Sequence, residues 1–212
     1  MKKILLIEDR IERLDKYIET TGFDIKTLDV LEQRESLDDV DLGEYSMIIT
    51  HRSAYGDNDQ NILDFLKKHC EETNTKLVFF SGGISSTFYS KSKFEFLLLN
   101  SQAFYSDNLQ LFLNDAVKNE EPNLLLLGYG ENWKINIILN TLEKINLFIS
   151  DNEGKEIIKF NNFKTVTKIE NIERFIDFEY PVVTKGGAQL NEIRALSTTI
   201  TNNLTQKIEH YV

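Results

Sequence analysis

Few residues in this chain have both the type and the setting to do chemistry. Adjacent carboxylates Glu8 and Asp9 close the apolar run of KILLIEDR, and His51 closes that of EYSMIITHRS. Ser81 opens Ser81-Gly82-Gly83 after KLVFF, and Asp107 stands in AFYSDN. Two carboxylates and an imidazole are the groups that metal-assisted phosphoester chemistry uses. Against that use, no nucleophile stands at a fixed spacing from His51, and the three histidines form no metal-binding motif. Each group also has an ordinary structural use. Acidic residues at a helix start are favoured by the helix dipole, a serine before two glycines caps a turn, and a histidine can simply pack or dock. The single cysteine, Cys70, leaves no disulfide framework and no cysteine-based zinc cage, and it suits a reducing cytoplasm.

The elements that must position these groups follow from the apolar spacing. Over the first 121 residues strand-like and helix-like segments alternate. The strands expected are Lys3–Ile7, Phe23–Leu28, Met47–Thr50, Leu77–Phe80 and Ala103–Ser106. Between them Ile11–Thr20, 61–72, Phe88–Leu99 and Leu109–Val117 have helical spacing, with Gly22 as a stop. Such alternation implies parallel pairing. Near Glu120-Glu121-Pro122-Asn123 the pattern changes, which sets a domain boundary between 1–121 and 122–212. The second part is expected to hold a helix over Trp133–Ile145, a hairpin of Leu147–Ser150 with Lys155–Phe160, and a long C-terminal helix over Ala188–Tyr211. Leu124–Gly130 lacks the third glycine of a dinucleotide fingerprint and the Lys-Ser/Thr of a P-loop, so it carries no nucleotide assignment.

With these residues in place, the first 121 positions resemble a response-regulator receiver domain. That is a doubly wound, flavodoxin-like α/β fold with a five-stranded parallel sheet in the order 2-1-3-4-5. A smaller α-rich or α+β module would follow it. The resemblance implies that Glu8 and Asp9 help hold a magnesium ion, a hard cation that prefers oxygen ligands. It places His51 at the phosphate-accepting aspartate and Ser81 at the phosphate-sensing hydroxyl. Phe104 falls at the switch aromatic and Asp107 at the conserved lysine. His51 and Asp107 are wrong in chemical type, so the resemblance is to a receiver with a disabled phosphorylation site. His51 and Asp107 are expected to approach each other at neighbouring strand tips.

The function this implies is that of a non-enzymatic cytoplasmic regulatory or adaptor protein with no cofactor. Its partner would be another protein or a second copy of itself, met through a face holding Phe88, Tyr89, Phe94 and Tyr105. Two alternatives stand beside it. One is a DNA-binding regulator using Lys155, Lys159, Lys164 and Lys168, although Glu153, Glu156 and Glu170 interleave with them. A net charge of −10, with the acidic excess almost wholly in residues 1–121, disfavours nonspecific attraction to nucleic acid or anionic lipid. The other is a metal-assisted phosphoester enzyme using His51 and the acidic pair. No apolar run approaches the roughly 20 residues of a bilayer span, and Glu8, Asp9 and Arg10 interrupt the N-terminal apolar stretch, against a signal peptide.

Overall fold

In the computed structural model of the protein, the described residues are 3–151, except 27, 33, 35 and 92. Beyond 151 they are 153, 157, 158, 188, 189, 195 and 198. The chain forms two compact units, Met1–Glu131 and Asn132–Val212.

The first unit is α/β. Its strands are β1 (Lys3–Ile7), β2 (Leu28–Leu31), β3 (Tyr45–His51), β4 (Lys76–Ser81), β5 (Phe88–Ser90) and β6 (Phe96–Asn100). Its helices are α1 (Ile11–Thr21), α2 (Asp59–Thr73), α3 (Ser101–Phe104), α4 (Asp107–Lys118) and α5 (Leu125–Tyr129). The sheet runs β2-β1-β3-β4-β6-β5, parallel throughout except for the antiparallel edge pair β5–β6. The fold class is therefore as expected, but the strand order is not: six strands replace five, and one of them is antiparallel.

The strands read as nearly continuous apolar runs because both faces of the sheet are covered. Leu5, Ile7, Ile48, Leu77 and Phe79 share one cluster with Ile62, Leu63, Leu66 and Cys70 of α2. Successive residues point to opposite faces, so Ile4, Leu6, Met47, Ile49, Val78 and Phe80 fill the other side, and all are buried. On that second face Phe80 stacks on Phe104 with ring centroids 4.1 Å apart, and Tyr105 lies edge-on to Phe80 and against Tyr17 of α1. Gly22 ends α1 in the left-handed region (φ 66°), its N–H bonded to the Ile18 carbonyl.

Two expected elements are corrected. Phe88–Leu99 is not a helix but the β5–β6 hairpin. Phe94, Phe96 and Leu98 pack toward the α2 cluster while Leu97 and Leu99 are fully buried on alternate positions, a period of two rather than 3.6. Ala103–Ser106 is not the fifth strand. The Asn100 side chain accepts from Gln102 N–H and starts α3, and Ser106 accepts from Asn108 N–H and starts α4, so the capping side chains override the strand propensity of Phe104 and Tyr105. The second strand lies at Leu28–Leu31, later than expected, and Leu124–Gly130 contains the short helix α5.

In the second unit α6 spans Trp133–Asp151, which absorbs the strand expected at Leu147–Ser150. Ile157–Ile158 (β7) pairs antiparallel with Ala188–Gln189 (β8), not with a neighbouring hairpin arm. Of the expected C-terminal helix, Ala188 and Gln189 are strand, Ala195 and Thr198 are helical, and the rest lies outside the described residues. Lys155, Lys159, Lys164 and Lys168 also lie outside them. Among the described residues no helix is long and apolar enough to cross a membrane.

Candidate functional site

The C-terminal ends of the parallel strands gather the polar groups of the first unit. Glu8 follows β1 directly, and its place in the alternation aims it at the face carrying Ile4, Leu6 and Phe80. His51, the last residue of β3, pairs in register with Phe80 and lies on the same face, its ring edge-on to Phe80 at 5.0 Å. Asp9 comes one residue on. Arg13 lies in the first turn of α1, four residues from Asp9 and therefore one turn above it. Tyr105, between α3 and α4, reaches in from the other side.

The contacts are dense. Glu8 is fully buried. Its Oε1 accepts the backbone N–H groups of Asp9 (3.0 Å) and Arg10 (3.3 Å), and its Oε2 accepts the Tyr105 hydroxyl. Arg13 Nη1 lies 3.5 Å from Glu8 Oε1, 3.5 Å from Asp9 Oδ1 and 3.3 Å from His51 Nε2. One guanidinium nitrogen thus touches all three groups.

A guanidinium only donates, so His51 Nε2 accepts, and the neutral ring carries its proton on Nδ1. That nitrogen is 2.8 Å from Asp9 Oδ1, yet it has no aligned hydrogen-bond partner. The distance and the hydrogen-bond geometry point different ways. We take the contact as electrostatic, since proximity without alignment does not make a hydrogen bond.

Burial and crowding push the titrations apart. Burial, together with hydrogen bonding to Asp9, raises Glu8 to about 7, against the smaller lowering effects of Tyr105 and the Arg10 N–H. Burial would raise Asp9 too, but the Glu8 hydrogen bond and the charges of His51 and Arg13 outweigh it and hold Asp9 below its ordinary value. His51 is lowered, by burial first and then by Arg13 and Arg10, with Asp9 opposing. Tyr105 is raised by burial and by its bond to Glu8. Near neutrality the histidine is neutral, Asp9 ionised and Glu8 close to its midpoint, with Arg13 supplying the positive charge.

No family model, curated protein or solved structure matches this chain.

Glu8, Asp9 and His51 each offer a donor atom, all within 4.8 Å of one another. Magnesium does not fit them. It demands near-octahedral oxygen coordination and keeps several waters. Here one of the three donors is a nitrogen, both Glu8 oxygens already accept hydrogen bonds, and a guanidinium stands against all three groups.

The remaining expected site residues are dispersed. Asp107 is not at a strand tip; it is the exposed first residue of α4, and the expected His51–Asp107 pair is replaced by His51 with Asp9 and Arg13. Phe104 is fully buried under Phe80, within α3. Ser81 ends β4, half-buried, and its carbonyl accepts from Ile84 N–H, closing the expected turn, which Asn100 Nδ2 also holds through the Gly82 and Ile84 carbonyls. Tyr89 is buried, its hydroxyl donating to Glu95, while Phe88 and Phe94 are half-buried. Tyr105, expected on a partner face, belongs to the polar cluster instead. Sequence reasoning missed Arg13. Its signal was the Asp9–Arg13 spacing on a helix that begins at Ile11.

Proposed function

We propose that residues 1–131 form a receiver-like regulatory domain that takes no phosphate, in a non-enzymatic protein that acts by binding protein partners in the cytoplasm. One observation carries the reading. At the tip of the central strand β3, beside the acidic pair that follows β1, stands a buried neutral histidine held between Asp9 and Arg13. An acyl phosphate needs a carboxylate at that position, and a carboxylate is absent there.

Two further features support it. The parallel strands run β2-β1-β3-β4-β6, which has the connectivity of a flavodoxin-like sheet once the antiparallel edge strand β5 is set aside. The members of the cluster, two carboxylates, one histidine, one arginine and one tyrosine, also contact one another, with only His51 Nδ1 left without an aligned hydrogen bond, as befits a part that holds shape rather than turns over substrate. A cytoplasmic location agrees with a single cysteine that is buried, its thiol pushed by burial up to about 12 and so unreactive.

The test is intact mass after incubating the full chain with a small acyl phosphate and magnesium. The reading expects no change. A labile addition of one phosphate mapping to residues 47–55 would overturn it.

A further inference from the structure

Resting on the reading above but reaching beyond it, we infer that Arg13 is a tethered cation. Its guanidinium takes the place a divalent ion would occupy among Glu8, Asp9 and His51, and the two compete for the same donors.

Three observations converge. First, the donor atoms of Glu8, Asp9 and His51 lie within 4.8 Å of one another, close enough for a single cation to meet all three. Second, Arg13 Nη1 meets all three, at 3.5, 3.5 and 3.3 Å. Third, His51 Nδ1 is buried, with the side chain only 5% exposed, and it lies 2.8 Å from Asp9 Oδ1 without an aligned hydrogen bond. With its proton on Nδ1 toward Asp9, the ring leaves Nε2 as the nitrogen whose lone pair can meet a cation, and that is the nitrogen Arg13 faces.

The position of Arg13 argues the same way. A positive side chain in the first turn of a helix opposes the macrodipole, so α1 itself gives no reason for an arginine there. The two carboxylates do. Arg13 is also the most accessible member of the trio it forms with Glu8 and Asp9, its side chain 33% exposed against 0% and 14%. A long side chain at that exposure can swing out without disturbing the strands.

The chemistry of the vacated site follows from its donors. One imidazole nitrogen and two carboxylates suit borderline first-row cations such as cobalt(II) or zinc(II), whereas magnesium and calcium favour all-oxygen sets. Removing Arg13 should therefore uncover a cobalt or zinc site, not a magnesium site.

The experiment titrates cobalt(II) and magnesium into the full-length wild type and Arg13→Gln, following the visible cobalt absorption and the heat of binding. Expected is one cobalt per chain in Arg13→Gln, bound at least roughly tenfold more tightly than by wild type, with no saturable magnesium binding in either. Arg13→Lys, which keeps the charge, should stay closer to wild type. Equal cobalt affinity in wild type and Arg13→Gln would overturn the inference, as would failure of Arg13→Gln to bind any cobalt. If Arg13→Gln does not fold, wild type still decides. An unfolding midpoint unmoved by cobalt or magnesium agrees with a filled site, and a saturable rise contradicts it. Phosphate labelling would sink the proposed function and leave this competition standing. Tight magnesium binding without labelling would do the reverse.

Discussion

Arg13 Nη1 lies 3.3 Å from His51 Nε2, across 38 residues of sequence. Because the guanidinium can only donate, this contact fixes the histidine as the Nδ1–H tautomer and keeps a second positive charge off the ring. The helix turn that carries Arg13 thereby sets the tautomer of a residue on the central strand and adds to the burial that keeps it neutral. Long-range nitrogen–proton correlation spectra of the imidazole should show Nε2 unprotonated at neutral pH, and Arg13→Gln should mix the two tautomers. An Nε2–H ring in wild type would break the assignment.

The acidic pair predicts a pH dependence whose sign can be worked out. Glu8 is raised in the folded state to about 7, so between its ordinary value of 4.5 and about 7 the folded chain binds the extra proton. Stability from Glu8 is then complete below about 4.5 and is lost as pH rises through about 7. Asp9 and His51 are lowered and act oppositely. Their contributions are present above 3.8 and 6.5 respectively and are lost as pH falls through the lower folded values. The difference between wild type and Glu8→Gln isolates Glu8. In urea unfolding across mildly acidic to mildly basic pH, wild type should lose on the order of 1–3 kcal/mol relative to Glu8→Gln. Parallel profiles would refute a raised Glu8.

Tyr105→Phe keeps the ring against Phe80 and Phe104 but removes the hydroxyl that donates to buried Glu8 Oε2. Leaving that acceptor unpaired should cost about 1–3 kcal/mol. The lost bond favoured the ionised form, so Glu8 should titrate higher still. A denaturation midpoint equal to wild type would mean that water replaces the hydroxyl without loss.

Tyr89 was expected on a partner face, and its burial at 8% exposure changes what truncation should do. Tyr89→Ala should remove about 3 kcal/mol of stability, as deletion of a buried aromatic does. Unchanged stability with lost self-association, by urea unfolding and sedimentation, would restore the surface reading.

Much of the sheet was legible because its strands are apolar runs bounded by acidic or turn residues. The apolar run Lys3–Ile7 coincides with β1, and Met47–Thr50 and Leu77–Phe80 lie within β3 and β4. The last third of the first unit was not. Phe88, Phe94, Phe96 and Leu97–Leu99 satisfy a helical pattern as well as an alternating one, and only pairing with β4 decides between them. A helix at Phe88–Leu99 carries the expected fifth strand past the caps at Asn100 and Ser106 and puts Asp107 at a strand tip it does not occupy. The site divides similarly. Glu8, Asp9 and His51 were visible as strand-end residues, whereas Arg13 and Tyr105 join them only once α1 and the α3–α4 turn fold over the sheet.

Two glycines differ in both backbone strain and crowding. Gly22 and Gly130 both have positive φ, at 66° and 69°. A Cβ on Gly22 meets nothing within 4 Å, whereas one on Gly130 would come 2.7 Å from Asn108 Oδ1. Gly22→Ala should cost about 1–2 kcal/mol from its left-handed conformation, and Gly130→Ala more, because a φ of 69° with a ψ of −160° is a conformation essentially only glycine adopts and because Asn108, whose Nδ2 also holds the Leu127 carbonyl within α5, stands against it. Equal unfolding midpoints for the two variants would contradict both the extra strain and the crowding at Gly130.

The proposed receiver-like site, closed by its own residues, is probed by backbone amide spectra of the full chain with magnesium and beryllium fluoride, a phosphoryl mimic. The resonances of Glu8, Asp9, His51 and Ser81 should stay where they are in buffer. Saturable shifts that begin at His51 and extend to Ser81 and Tyr105 would mean that the site binds and transmits, and would contradict it.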